Sequence, residues 1–567
     1  MNCTITKRTM KMLWNASFAP KNHTKNLCPW MVLLFLCISQ TILADNTGFI
    51  EVRADRVVLY PQRMELRGEE TLKDVLEMYP ELLVGGYSDV LDNYQLRMDN
   101  VKMSGDIGQL LMQIKAKDVK SVQIVDNPGV AKGTTGMGGV IDITLLPMTK
   151  GVHGFAEARG ETKGSISPTV NLQYGGNNTD LWVNTNYAYI SSDGTVTHQE
   201  YADIHGVTKL GERDRLLTYI KQEYCNADAS PAHNINRNCL ARVRYFHRFN
   251  DIGTELLTLF SYQYTDSPHS SSDFRKQSTT QVPMYLLELN SPLFTKDFTM
   301  MLGAEGDFNM YDYGVRQGGT FDETSRYDVF NQDFYLQFNY AVGAFNLTVG
   351  DRIMLYHYGM NGYSGEWSGN TTRNMFQSSV IYRPCDKHQL QLGYYRKFIN
   401  PAYLDVFPEE WPNADGTLYM GNPMFTEEKV EQVKLGYTYS AKRLSVCVNE
   451  NYFKRENGNI WRSDVSVYYK YNRLSVTAGV NAHNEKGSDY YSARISPKAS
   501  LPYKIQIATN LIYYSTNAPY KRLTGASVYG ELRANKQFNG HWDVQLLWHD
   551  MFASRKSSLL ASVKYNF

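Results

Sequence analysis

Beyond Lys150 the chain repeats one pattern: segments of roughly 9–13 residues in which apolar and polar side chains alternate, separated by turn residues. In the last segment Leu559, Ala561, Val563, Tyr565 and Phe567 share one parity, and Ser558, Ser562, Lys564 and Asn566 share the other. Trp542, Val544, Leu546 and Trp548 alternate with Asp543, Gln545 and His549 in the same way. Val433, Leu435, Tyr437 and Tyr439 alternate with Gln432, Lys434, Gly436 and Thr438. Successive strand residues point to opposite faces, so each segment carries one apolar and one polar face. Short connections at 383–387 and 471–473 contrast with long ones at 191–236, 312–328 and 399–429. Short turns on one side and long loops on the other describe an all-β transmembrane barrel; a soluble sandwich would carry polar residues on its outer parity. About twenty segments are present, and the apolar run 216–220 inside the first long connection suggests a further pair. The expectation is about 20–22 antiparallel strands, with 22 favoured.

Composition agrees with a barrel and excludes two other classes. The mean hydropathy of −0.42 is too low for a bundle of membrane helices. The 41 Tyr, 24 Phe and 8 Trp suit a surface that meets lipid headgroups. With 58 basic against 57 acidic residues, no bulk charge is available to hold a nucleic acid.

The N-terminal quarter reads differently. Residues 1–44 hold Lys7, Arg8, Lys11, Lys21, Lys25 and no acid, then a short apolar run from Trp30 to Ile38, ending at Ala44. That is the layout of a signal peptide, with an apolar core well short of the roughly 20 residues of a spanning helix. After residues 45–68, a mixed pattern occupies 69–150. Leu72, Val75, Leu76 and Tyr79 mark a helix behind the capping-box residues Thr71 and Asp74, and Ile107, Leu110, Leu111 and Ile114 mark a second. Strands are expected at 94–98, 101–103, 121–126 and 140–145. Together these make a small α+β domain preceding the barrel at 151–567.

Four cysteines follow the leader: Cys225, Cys239, Cys385 and Cys447. Cys225 and Cys239 bracket a polar stretch that an exported chain could close by oxidation, so a disulfide between them is expected on the outer side.

The small domain followed by a barrel resembles the TonB-dependent receptors of Gram-negative outer membranes, and most closely their compact "outer membrane protein beta-barrel" branch. The resemblance rests on Leu72 to Pro80, on the turn at Asp99 and Asn100, and on Val122 to Gly129 with Gly136 to Ile143. In the barrel it rests on Tyr395 to Tyr403, on Gly421-Asn422-Pro423 with Phe425 and Glu428, and on Leu435-Gly436-Tyr437. Glu427 and Lys434 depart from the residues usual there, and no carboxypeptidase-regulatory-like domain precedes the plug. The terminal Phe567 is similar to the barrel assembly signal of outer-membrane proteins. The resemblance implies that 69–150 is a plug in the lumen and that the segment at Phe49, Ile50, Glu51 and Val52 is a candidate TonB contact, pairing by strand addition. An ordinary plug strand or a tail is the other reading of that segment.

No residues call for catalysis, a cofactor or a resident metal. Gly133 to Gly139 lead into a strand rather than the helix a phosphate loop must open. The twelve histidines hold no HExxH, and no GxSxG is present. The aromatics Tyr394, Tyr395, Phe398, Tyr403, Phe407, Trp411 and Tyr419 fit either a membrane girdle or a ligand platform in the loop 399–429, where Phe407, Trp411 and Tyr419 are the candidates. The expected function is plug-gated uptake of a bulky, scarce nutrient across the outer membrane, the ligand being a small molecule, oligosaccharide or peptide. Expected partners are outer-membrane lipid, the TonB complex and a surface lipoprotein, with no nucleic acid. The competing expectation is a barrel acting as adhesin or structural protein without TonB coupling.

Overall fold

A computed structural model describes residues 50–52, 57–63, 72–76, 95–98, 101–102, 111, 114, 116–125, 140–146 and 150–567, less 163, 193–194, 230–231, 271–273, 318–319, 363–364, 386, 400–409, 413–417, 421, 423–427, 442, 457, 486–487, 519–526 and 553–556. The signal-peptide residues, the Asp99 turn and the glycine-rich stretch at 133–139 lie outside these.

Six short strands form the first sheet: β1 (Ile50–Val52), β2 (Val57–Leu59), β3 (Gln95–Met98), β4 (Val101–Lys102), β5 (Val119–Val125) and β6 (Val140–Leu145). Their order is β1-β2-β5-β6-β3-β4, and only β3 and β6 run parallel. Helix α1 (Leu72–Leu76) buries Leu72, Val75 and Leu76, and the Leu72 N–H donates to the Ile114 carbonyl at 2.8 Å. Val122, Ile124, Val140, Ile141 and Ile143 complete a core from the segments whose pattern predicts strands. The remainder of the first helix and most of the second fall outside the described residues.

The barrel begins with β7 (Gly151–Glu161), β8 (Ser165–Gly175), β9 (Thr179–Ser192), β10 (Thr195–Lys209), β11 (Asp214–Ala229), β12 (Ala232–Arg248) and β13 (Glu255–Ser270). It continues with β14 (Phe274–Pro292), β15 (Phe298–Gln317), β16 (Thr320–Val342), β17 (Phe345–Gly362), β18 (Gly365–Cys385) and β19 (His388–Ile399). A separate hairpin, β20 (Glu410–Pro412) and β21 (Leu418–Met420), stands between β19 and β22 (Glu428–Ser440). The wall ends with β23 (Leu444–Arg455), β24 (Ile460–Tyr471), β25 (Leu474–Glu485), β26 (Ser488–Leu501), β27 (Ile505–Tyr514), β28 (Val528–Phe538), β29 (Trp542–His549) and β30 (Ser558–Asn566).

Strand β30 pairs with β7, so the 22 strands β7–β19 and β22–β30 close on themselves. The seam is finished by Phe567, whose N–H donates to the Gly154 carbonyl at 3.0 Å and whose carbonyl accepts from the Gly154 N–H at 3.1 Å. A side chain at Gly154 would strike the Phe567 ring at 2.9 Å, so the bare glycine lets the terminal ring lie against the first strand.

Two of the expected long loops are largely strand. Residues 191–236 contain β10, β11 and the start of β12, which is why 22 strands are found where about twenty segments are obvious. Residues 312–328 are the facing ends of β15 and β16, which reach 20 and 23 residues. A barrel strand needs only about 9–11 residues to cross lipid, so the ladder continues well beyond the membrane and satisfies its own backbone groups there.

Side-chain parity follows the alternation. Leu546 is 48% exposed on the outer face and Leu547 5% exposed on the inner one, and Val563 is exposed while Ser562 and Lys564 are buried. Tyr439 departs from this: it carries the outward parity but is buried against Ala441, Leu444 and Val446 at the strand ends. On the side where β7 begins and β30 ends, aromatics form a rim through ring contacts of Phe298 with Phe338 and Tyr340, Phe345 with Tyr382, and Trp542 with Tyr565. Trp548 continues the outward face of β29, six residues or roughly 20 Å along the strand from Trp542. The apolar band is thus edged by rings where β7 begins and β30 ends, as at a lipid interface.

Lys substituted at Val544 or Leu546 is expected to destabilise the folded barrel by about 2–4 kcal/mol, whereas Lys at inward Gln545 is expected to have a small effect. Urea unfolding in lipid vesicles measures both, and equal losses would contradict the assigned faces.

Candidate functional site

Lumen-facing positions near the middle of β14–β18 carry charge. Register places Glu288, Gly303, Tyr335, Arg352 and Met375 in one row across these five strands. Tyr335 lies flat over Gly303, where an added Cβ would fall 2.1 Å from the ring, and its hydroxyl donates to Glu288 at 2.6 Å. The missing side chain at Gly303 is what lets one tyrosine bridge three strands. Arg352 donates through Nε to Asp333 at 2.8 Å and through a terminal nitrogen to Glu305 at 2.8 Å, and the same nitrogen also contacts Asp333. The Arg352 guanidinium lies 5.3 Å from the Tyr335 ring centroid.

The small sheet reaches this row. Arg97 of β3 stands beside Asp142 of β6 in the parallel pair. Burial pushes the Arg97 guanidinium below its ordinary range, while the negative charges of Asp142, Glu305 and Glu288 pull it back up. Arg242 and Arg244 of β12 also lie within its field. Residues of the sheet therefore sit inside the barrel, with one arginine beside a sheet carboxylate and within the field of two wall carboxylates. The first domain is a plug.

Two to five inward positions further out, the wall becomes aromatic. Tyr313, Tyr327, Val329 and Met360 are buried together, with Tyr311, Tyr356, Tyr358 and Trp367 packed against them. The Tyr327 and Tyr356 hydroxyls are 2.8 Å apart, and Arg373 lies 4.6 Å from the Tyr356 ring centroid. This wall can take a flat ring by stacking and an anionic edge by the guanidinium.

The sequence candidates are distributed as follows. Ile50, Glu51 and Val52 form β1, paired with β2 at the end of the sheet order, and Phe49 lies outside the described residues. Trp411 and Tyr419 face each other in register on β20 and β21, and Phe407 lies outside the described residues. Tyr394 faces outward and contacts Phe376, whereas Tyr395 is buried on the inward parity.

The expected disulfide is not formed: Cys225 and Cys239 are both free. Cys225 pairs with Asn236 and Cys239 with Gln222, so the two are three rungs apart, roughly 10 Å, and on opposite faces of the sheet. A disulfide requires Cα atoms within about 7 Å. Mass spectrometry of the non-reduced, alkylated protein should recover both cysteines alkylated, and a linked Cys225–Cys239 peptide would contradict this register.

The aromatic wall is absent from the sequence expectations. Its signal is present as Tyr311/Tyr313, Tyr327/Val329 and Tyr356/Tyr358/Met360, each spaced by two on the parity shared with Asp307, Asp333 and Arg352.

The family described as TonB dependent receptor-like, beta-barrel matches residues 158–459, more than half of the chain. No curated protein matches. Among solved structures, the siderophore receptor PirA from Pseudomonas aeruginosa is 11% identical, with 91% of this chain and 100% of that chain covered and a TM-score of 0.69. The alcaligin outer membrane receptor FauA from Bordetella pertussis is 12% identical, with 92% and 97% covered and a TM-score of 0.67. A copper transporter, OprC, is 12% identical, with 93% and 100% covered and a TM-score of 0.71. At such identities the likeness is one of fold.

Proposed function

Because the chain belongs to the TonB-dependent receptor-like β-barrel family, a family of the Gram-negative outer membrane, we propose that it imports a bulky, scarce, ring-bearing nutrient past a plug moved by TonB. The observation that carries this reading is Arg97 of the plug, which stands beside Asp142 and lies within the field of the wall carboxylates Glu288 and Glu305. A plug that meets the wall through charge rather than a large apolar interface can be seated at rest and released by a pull.

Ligand is captured first on the aromatic wall, where Tyr311, Tyr356, Tyr358 and Trp367 offer ring faces and Arg373 favours an acidic or electron-rich edge. Solved structures of the same fold are receptors for siderophores and a transporter of copper, which supports a ring-bearing metal chelate as the first ligand class to try. Phe407, Trp411 and Tyr419 would add a second contact from the outer loop. The ligand would be taken up unchanged, and no chemical step is assigned to the chain.

The domain division that goes with this reading is a signal peptide at 1–44, a TonB-contacting segment at 45–68, a plug at 69–150 and a barrel at 151–567. β1 supports the TonB contact because it ends the sheet order, so its outer edge can take a further strand. The tall outer ends of β15–β18 would give a surface lipoprotein a place to seat.

Removing residues 45–56 tests the coupling. Energised uptake of ferric siderophores or copper should be lost while heat-modifiable migration on a gel shows a normally folded barrel. Unchanged energised uptake would contradict TonB coupling through this segment.

A further inference from the structure

The outward face of β17 reads Phe345, Leu347, Val349, Asp351, Ile353, Leu355. Phe345 belongs to the aromatic rim, and Val349, Ile353 and Leu355 are exposed on the lipid side. Asp351 lies six residues above the rim, which at the usual rise and tilt is roughly 15 Å into an apolar band about 25 Å tall. Its cross-strand neighbours are apolar too: Leu336 on β16 and Phe376 on β18.

This carboxylate is only partly provided for. Asn374, outward on β18, donates to both oxygens, at 2.6 and 2.8 Å. An amide satisfies hydrogen bonding and leaves the negative charge in place. The same face of β18 continues the polarity: Asn370, Thr372, Asn374 and Ser378 alternate outward, interrupted by Phe376. Glu450, an outward acid on β23, differs in its partners: it accepts the Trp461 indole N–H at 3.0 Å and the Ser463 hydroxyl. An ionisable side chain facing the lipid band is costly, and one that persists marks a place where something other than lipid is met.

We propose that the outer face of β17–β18 docks a second outer-membrane protein presenting a Lys or Arg at the depth of Asp351. Charge complementarity selects this occupant over a second copy of the chain. Copies in one membrane share the same depth at every residue, so a self-contact at mid-band brings acid towards acid. The outward cations among the described residues lie near strand ends, as Arg326, Arg396, Lys454 and Lys536 do. None of these can reach mid-band in a neighbouring copy. The Asp351–Asn374 pair then accepts a charge-assisted hydrogen bond, which is strongest where water is excluded.

The test uses the full chain in native outer membranes, with a photo-crosslinking residue at Ser378 and, as control, at outward Val480 on β25. The expected result is one discrete adduct from Ser378 alone, whose linked partner segment carries a Lys or Arg, and its loss in D351L. In vesicles of phosphatidylcholine alone, Asp351 meets no cation, so D351L and D351N should each raise the folded-to-unfolded ratio, D351L by roughly five-fold or more. Adducts to lipid only, or to a second copy of this chain, would overturn the proposal. So would a D351L barrel no more stable than wild type in pure lipid, since Asp351 would then not face the hydrocarbon.

Discussion

In hydrocarbon an unpaired peptide group costs several kcal/mol, because no water is present to replace the lost hydrogen bond. A sheet can cross lipid only if it has no edge, and this constraint governs the whole chain. It demands that β30 return to β7 and that the seam be complete, which the reciprocal bonds of Phe567 and Gly154 accomplish at the last residue. The outer connections are drawn up as long hairpins whose ladders continue the same pairing: β15 and β16 carry on far beyond the lipid. Once closed, the sheet has only two surfaces, and alternation assigns every side chain to one of them.

The inner surface then has to manage charge. Arg352 is shared between Asp333 and Glu305, and Tyr335 crosses Gly303 to reach Glu288, so the wall fixes its own carboxylates before the plug arrives. Arg97 completes that arrangement from the plug side. A buried pair of this kind contributes little net stability against an apolar alternative, yet breaking it by removing one partner is expensive. Such contacts suit a gate: they define one seated position and resist partial displacement. The aromatic wall lies outward of this row, so a ligand arriving from outside meets ring faces before it meets the charges beneath.

Much of this was legible in the sequence, because alternation is a direct consequence of strand geometry. The barrel, its lipid-facing parity at Leu546 and Val563, and the extra strand pair announced by 216–220 all follow from a period of two. The plug strands β5 and β6 follow from short β-branched runs. The position of Asp351 is legible in the same way once β17 is known to face lipid on odd residues. What could not be read were relations between strands. Cys225 and Cys239 look well placed because they bracket a turn, but the hairpin register sets them three rungs apart and on opposite faces. The aromatic wall was missed because a rule that sends rings outward to lipid has no reason to look for Tyr327, Tyr356 and Trp367 on the inward parity. Nor does any local pattern connect Arg97 with Glu288 and Glu305, which lie some two hundred residues away along the chain.

The account stands on a plug seated in the lumen and held there by Arg97. Single-channel conductance of the purified full chain in planar bilayers, in potassium chloride, tests this most directly. The wild-type chain should be nearly silent, and R97E, which sets a third carboxylate against Glu288 and Glu305, should give sustained openings of a wide pore. A wild-type chain that conducts steadily, or an R97E chain as silent as wild type, would contradict the account.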